Sequence, residues 1–202
     1  LDNDTSSASV YIVAERDANE EGLASGQFTI YRSGETATDL LVYYNIAGGY
    51  FNGYPSATAV DDFTQLPGRI TIPAGSNSAS ITIAPVDDSQ VEGSEGVNLY
   101  LSYSSSYSIS YPSSAATIFI EDNDVAVGIY AQDAYGAEQG NDVASVVIYR
   151  TGGSTSESLN VSYTLGGTAI NNRDYLPLSG TATIPAGETA TVVNIIPYDD
   201  LE

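Results

Sequence analysis

The chain has 202 residues, 42% of them hydrophobic, which is enough for one large core or two modest ones. Its 26 Asp and Glu stand against 5 Lys and Arg, for a formal net charge of −21, so it repels nucleic acid and anionic membrane and attracts cations. It has no His and no Cys, which removes imidazole bases, thiol nucleophiles, N/S zinc sites and disulfides and leaves carboxylate, hydroxyl, amide and guanidinium chemistry.

Residues 1–7, with the acidic run Leu1-Asp2-Asn3-Asp4, read as the end of a preceding repeat or a linker. From residue 8 the apolar residues alternate with period two. Phe28 and Ile30, then Leu40, Val42, Tyr44 and Ile46, then Ile70 and Ile72, Ile81 and Ile83, and Val97, Leu99 and Leu101 each mark one face of a strand. Gly, Pro, Asn, Asp and Ser punctuate the gaps. Seven strands are expected, near 8–15, 24–32, 38–47, 67–73, 79–86, 96–104 and 115–121. After the third, a glycine-rich loop carries Tyr50, Phe51 and Tyr54. It reads either as a self-packed loop or as an exposed aromatic contact for a neighbouring chain or a glycan. Five more strands follow, near 125–131, 142–150, 157–165, 179–185 and 189–198. No stretch reads as a helix.

The chain repeats itself. Residues 70–88 (ITIPAGSNSASITIAPVDD) and 182–200 (ATIPAGETATVVNIIPYDD) are identical at 9 of 19 positions without a gap. Ile30-Tyr31-Arg32 matches Ile148-Tyr149-Arg150, and Leu40-Val42-Tyr44 matches Leu159-Val161-Tyr163. The repeats are therefore 8–124 and 125–202. Seven short strands in one repeat predict an antiparallel, immunoglobulin-like β-sandwich. The second repeat lacks the last two, which would leave an apolar face and sheet edges open. Either the polypeptide continues or another chain supplies them, and continuation is favoured.

The acids are not scattered. Asp87, Asp88, Glu92 and Glu95 fall between the fifth and sixth strands with no basic residue nearby in sequence. In a seven-strand sandwich that loop shares one end with Glu20 and Glu21, Asp61 and Asp62, and Asp122 and Asp124. Like charges crowded there repel unless a cation intervenes, and Ca²⁺ takes six to eight oxygens from carboxylates, carbonyls and water. Each acid alone is an ordinary turn residue; the cluster is the signal.

Taken together, Glu21-Gly22, Asp61-Asp62-Phe63, Pro73-Ala74-Gly75, the run from Asp87 to Glu95 and Asp122-Asn123-Asp124 resemble the Calx-beta family. In the second repeat the same resemblance rests on Gly167-Thr168-Ala169, Asp174-Tyr175, Pro185-Ala186-Gly187 and Asp199-Asp200. It implies tandem sandwiches with Ca²⁺ at one end. The positions matching ligands of the family are Glu21, Asp62, Asp87, Asp88, the carbonyl of Gln90, Glu92, Glu95, Asp122 and Asp124. In the second repeat they are Glu138, Asp174, Asp199 and Asp200, an incomplete set.

The expected function is a calcium-binding, non-catalytic repeat segment of an extracellular or cell-surface protein, bacterial in style, serving adhesion, spacing or fibre assembly. Its partners would be calcium, neighbouring repeats, other copies in a filament, or a glycan or surface protein, without nucleic acid or membrane insertion. Two alternatives stand beside it: a regulatory calcium sensor, and a filament subunit completed by strand donation.

Overall fold

The structure is a computed structural model that describes residues 8–48, 53–140 and 142–199. The segment 1–7, Tyr50 and Phe51 of the aromatic loop, and Asp200 lie outside the described residues. The chain divides into two compact units, Leu1–Asn123 and Asp124–Glu202.

In the first unit the strands are β1 (Ser9–Arg16), β2 (Ala18–Asn19), β3 (Gly26–Ser33), β4 (Leu40–Ala47), β5 (Arg69–Ile72), β6 (Ser78–Ile83), β7 (Glu95–Leu101), β8 (Ser108–Ile109) and β9 (Ala115–Glu121). They form two sheets, β6-β3-β1-β8 and β2-β9-β7-β4-β5. The long pairings are antiparallel, and only the two-residue strands β8 and β2 pair in parallel, with β1 and β9. A bulge between Ala14 and Arg16 bends the chain at the end of β1. The chain then passes from the first sheet to the second.

The alternating residues pack between the sheets. Val10, Phe28, Ile30, Val42, Ile72, Ile83, Val97, Leu99 and Ile118 are all fully buried. Each contributes about 1.5–3 kcal/mol of gross burial, which is what holds the four-stranded and five-stranded sheets face to face. Two strands of this unit stop three residues earlier than the periodicity predicts, as do two of the second unit, expected over 157–165 and 189–198, which end at Ser162 and Ile195. The sixth ends at Leu101, because the chain turns there: the Tyr107 hydroxyl donates to Ser102 O (2.7 Å) and accepts from Tyr43 N (3.1 Å). The fifth ends at Ile83, because Pro85 bridges to Phe63 of the loop after β4. In the aromatic loop, Tyr54 packs on Phe119 at 4.9 Å, which favours the self-packed reading for that residue.

Among the described residues the second unit holds β10 (Ala126–Asp133), β11 (Ala144–Thr151), β12 (Leu159–Ser162), β13 (Thr181–Ile184) and β14 (Ala190–Ile195). They form the sheets β10-β11-β14 and β12-β13. Register identifies them with β1, β3, β6, β4 and β5 in turn: Val10 pairs with Arg32 as Val127 pairs with Arg150, and Leu40 with Ile72 as Leu159 with Ile184. No described residue of this unit takes the place of β7 or β9.

In both units a buried arginine closes one end. Arg32 donates Nε to Ser76 O, Nη1 to Thr38 O, and Nη2 to Thr36 O and Pro73 O. Arg150 does the same with Glu188 O, Glu157 O, Thr155 O and Pro185 O. The guanidinium fork thus ties the loop after β3 to the turn before β6, and the loop after β11 to the turn before β14. No carboxylate is needed, because main-chain carbonyls satisfy the charge. The acids lie at the other end.

Candidate metal centre

Strand direction assembles the acidic end. β1, β4, β6 and β9 all run toward it, so the segments that follow each of them meet there. Two triads of carboxylates form. Asp62, Glu92 and Glu95 offer one oxygen each within 4.8 Å of one another, and so do Glu20, Asp122 and Asp124. Glu20 and Asp62 are buried.

Local structure holds each ligand in place. Asp62 accepts from Thr58 N and Thr58 Oγ1, four residues back along the loop, and these two bonds fix its carboxylate. Its own carbonyl accepts from Val86 N at 2.9 Å, joining the loop after β4 to the end of β6. Asp122 Oδ2 accepts from Glu92 N (2.9 Å) and Gly93 N (2.8 Å). The acid from the exit of β9 therefore organises the loop that delivers Glu92 and Glu95. Asn123 Nδ2 donates to Asp87 Oδ1 at 3.3 Å.

The electrostatics of the first triad are strained. The Glu95 carboxyl is pushed up to about 8, first by burial, then by its hydrogen bond to Asp62 and by the charges of Asp62, Glu92 and Glu20. Glu92 is raised as well, by burial and by Asp62, Asp88 and Asp122. Three carboxylates this close cannot all ionise cheaply without a cation. Asp88 is different: it is lowered by the amide of Gln90, which donates to it through N (2.7 Å) and Nε2 (2.9 Å).

The structure gathers some of the residues expected from sequence and leaves others aside. Asp62, Glu92, Glu95, Asp122 and Asp124 come together. Asp87 sits at the rim, held by Asn123. Asp88 and Gln90 are exposed and bonded to each other. Glu21 does not join a triad: it is exposed in the short 3-10 turn Glu21–Leu23, and Glu20 takes that place. The backbone explains the one-residue difference. Asn19 bridges Ala24, so the residue after Asn19 is directed inward, whereas Glu21 N is bonded to Asn19 Oδ1 at 2.7 Å. The second repeat carries the signal that distinguishes them, since Ala137 bridges Asp142 in the same way and Glu138 is the residue that follows.

In the second unit Asp174 repeats Asp62. It accepts from Ile170 N at 2.7 Å, and its carbonyl accepts from Tyr198 N at 3.0 Å. Here Arg173 occupies the position of Asp61 and its Nε lies 3.6 Å from Asp174 Oδ1. Glu138 and Asp199 are exposed, and Asp200 lies outside the described residues. Among the described residues neither of the two triads draws on this unit's own Glu138, Asp174 or Asp199.

The donors are all oxygen, two of the six are buried, and they are crowded beyond what their own charges tolerate. That set fits a hard divalent cation such as calcium and does not fit zinc. Glu20, Asp62, Glu92, Glu95, Asp122 and Asp124 would hold it, and the ion would supply charge neutralisation and cross-linking of four segments.

The Calx-beta domain profile matches residues 4–124 and again 121–202. The chain belongs to the Calx-beta family, as two tandem domains. Among solved structures it is similar to the CBD12 tandem of CALX1.2, at 20% identity and a TM-score of 0.51 over 94% of this chain and 76% of that one. It is similar also to the calcium binding domain CBD12 of CALX1.1, at 21% identity and 0.51 over 95% and 76%. At that identity the likeness concerns the fold. No curated protein matches the chain in sequence.

Proposed function

We propose that the chain is a calcium-binding, non-catalytic tandem module of an extracellular or cell-surface protein, acting in spacing or adhesion. The observation that carries the calcium reading is the pair of carboxylate triads, Asp62–Glu92–Glu95 and Glu20–Asp122–Asp124. The spacing role is supported by the tandem repetition and by a net charge of −21. The same composition, without His or Cys, leaves little for catalysis. In this reading calcium neutralises the crowded end and fastens the loops after β1, β4, β6 and β9 to one another.

Calorimetric titration and thermal melting test it. Calcium is expected to bind the first unit, stabilise it by about 2.7 kcal/mol when calcium is one hundred times its Kd, and so raise its melting temperature. An unchanged melting curve between calcium and chelator would end the metal reading. A regulatory sensor is the second reading, favoured by the likeness to a tandem described as a calcium binding domain. A sensor would change shape on binding, whereas a spacer would only stiffen; small-angle scattering with and without calcium separates the two.

A further inference from the structure

The outward side of β4 differs in chemistry between the two repeats. In the first unit Leu41 and Tyr43 alternate with the buried core residues and stand opposite Thr71 and Arg69 of β5. The same register in the second unit sets Asn160 and Ser162 opposite Thr183 and Thr181. The β4–β5 ladder therefore needs no aromatic ring on that side. Yet the outer face of the first unit's five-stranded sheet carries three tyrosines, Tyr43, Tyr54 and Tyr100, exposed by 42%, 45% and 40%.

The three form a row rather than isolated rings. Tyr100 of β7 pairs with Asn45, which puts Tyr43 on the diagonal, about 7–8 Å away between Cα atoms. Tyr54 precedes Pro55, whose carbonyl accepts from Gly96 N, and its ring rests on Phe119, the partner of Gly96 on β9. Gly96 and Tyr100 are separated by about 13 Å along β7. Between the rings the floor is small and neutral, made by Ala47, Ala115 and Thr117. Polar groups flank it. Asn45 Nδ2 donates to Ser102 Oγ at 2.9 Å, and Arg69 is exposed with no ion pair among the described residues.

Charge selects the occupant. The chain carries 26 acids, yet of the outward positions on β4, β5, β7 and β9 only Glu121, at the acidic end, is one of them. A cationic partner would be drawn to the acidic loops instead. A polyanion would be repelled by the net charge of −21. The face suits an uncharged ligand with apolar flats and a rim of hydroxyls, which describes a pyranose ring. Its C–H bonds lie on a tyrosine ring, while its hydroxyls meet amide, hydroxyl and guanidinium groups. A row of rings suits a chain of such sugars better than a single one.

We propose that the outer face of β9-β7-β4-β5 binds a neutral polysaccharide, with Tyr43, Tyr54 and Tyr100 stacked on its sugars and Asn45 and Arg69 holding hydroxyls. This supplies a ligand for the adhesive part of the function proposed above and rests on that part alone. The face lies outside the two carboxylate triads and needs no calcium.

The test is affinity electrophoresis of the 202-residue chain through gels containing neutral glucan, mannan, xylan or galactan, with polygalacturonate as the anionic comparison, in calcium and in chelator. Retardation by at least one neutral polymer is expected, equal in the two conditions. Tyr43→Ser with Leu41→Asn writes the second unit's residues into β4. It should weaken binding about tenfold, as should Tyr100→Ser, with native circular dichroism in both. Tyr11→Ser, on the other sheet where Tyr11 stacks with Tyr31, should leave binding unchanged. Retardation by none of the neutral polymers, retardation by polygalacturonate alone, or equal weakening by Tyr11→Ser overturns the proposal. So does sedimentation showing a dimer that Tyr43→Ser and Tyr100→Ser dissolve, since a second copy would then hold the face. Polysaccharide binding without any calcium stabilisation ends the metal reading and upholds this face; calcium stabilisation without polysaccharide binding does the reverse.

Discussion

At the scale of single residues, Glu95 and Arg32 define the two ends of the first sandwich. Glu95 is a carboxyl whose folded value lies well above its unfolded one, about 8 against 4.5. The folded state therefore holds a proton that the unfolded chain has released. Its contribution to stability is fully present below about pH 4.5 and is lost as pH rises toward 8. Glu92 acts in the same direction, and Asp88, which is lowered, acts in the opposite one below its unfolded value. In chelator, the midpoint of urea unfolding should fall between pH 5 and pH 8 (roughly the window of the Glu95 shift). In Glu95→Gln that fall should largely disappear, and in saturating calcium it should reverse, because the metal competes with the proton. A chelated wild type with a flat profile across this window would contradict the crowding. At the other end, Arg32 satisfies four main-chain carbonyls from two loops. Arg32→Met removes every donor and leaves the carbonyls buried, so a loss of about 3–5 kcal/mol is expected in urea unfolding. Arg32→Lys should recover only a minor part, because an ammonium cannot span the fork.

At the scale of elements, β10 and β11 show how a strand copes with a missing side chain. Tyr11 and Tyr31 stack across β1 and β3 at 5.1 Å. In the second unit the Tyr11 position is Gly128, and a Cβ there would lie 2.3 Å from the Tyr149 ring. Tyr149 thus lies down over the glycine and covers the backbone, while Tyr130 contacts it diagonally at 5.9 Å. Glycine in a strand normally costs about 0.5–1 kcal/mol against alanine. Gly128→Ala should therefore stabilise a Tyr149→Ala background by that amount and gain nothing, or lose, beside the native Tyr149. A double-mutant cycle in urea should return a coupling of about 1 kcal/mol; no coupling would mean that the ring does not rest on the glycine. Periodicity made the strands legible because Val, Ile, Leu and Phe fall on every second position from β1 to β14, and both sheets read that pattern alike. It missed β2 and β8, each only two residues long and carrying no period. It ran past Leu101, where Tyr103 still alternates but Tyr107 turns the chain back. The acidic end was legible as a cluster because strand direction alone brings those segments together. Which of Glu20 and Glu21 faces inward was not, since adjacent residues in a turn are separated only by the bridge from Asn19 to Ala24.

At the scale of the whole molecule, charge and closure set the behaviour. With 26 acids against 5 bases, the folded chain works against its own field, and compaction raises the repulsion. The closed first unit buries a continuous core from Val10 to Ile120, while the second leaves Ile129 and Val192 more than half exposed. Two melting transitions are therefore expected in calorimetry, the lower one belonging to the second unit. Simple salt and calcium should act on them differently. Raising NaCl from about 0.02 to 0.5 M shortens the Debye length from roughly 20 Å to below 5 Å, which relieves diffuse repulsion and should raise both transitions in chelator. Calcium at millimolar concentration adds little screening, so any large shift from it reports a bound ion. That shift should fall on the upper transition, because Asp62, Glu92, Glu95, Glu20 and Asp122 all belong to the first unit, and should shrink in Asp62→Asn and Glu20→Gln. Glu21→Gln should leave it in place, because that carboxylate faces solvent. A calcium shift shared equally by both transitions, or reproduced by an equal ionic strength of NaCl, would assign the acids to solubility instead of to metal.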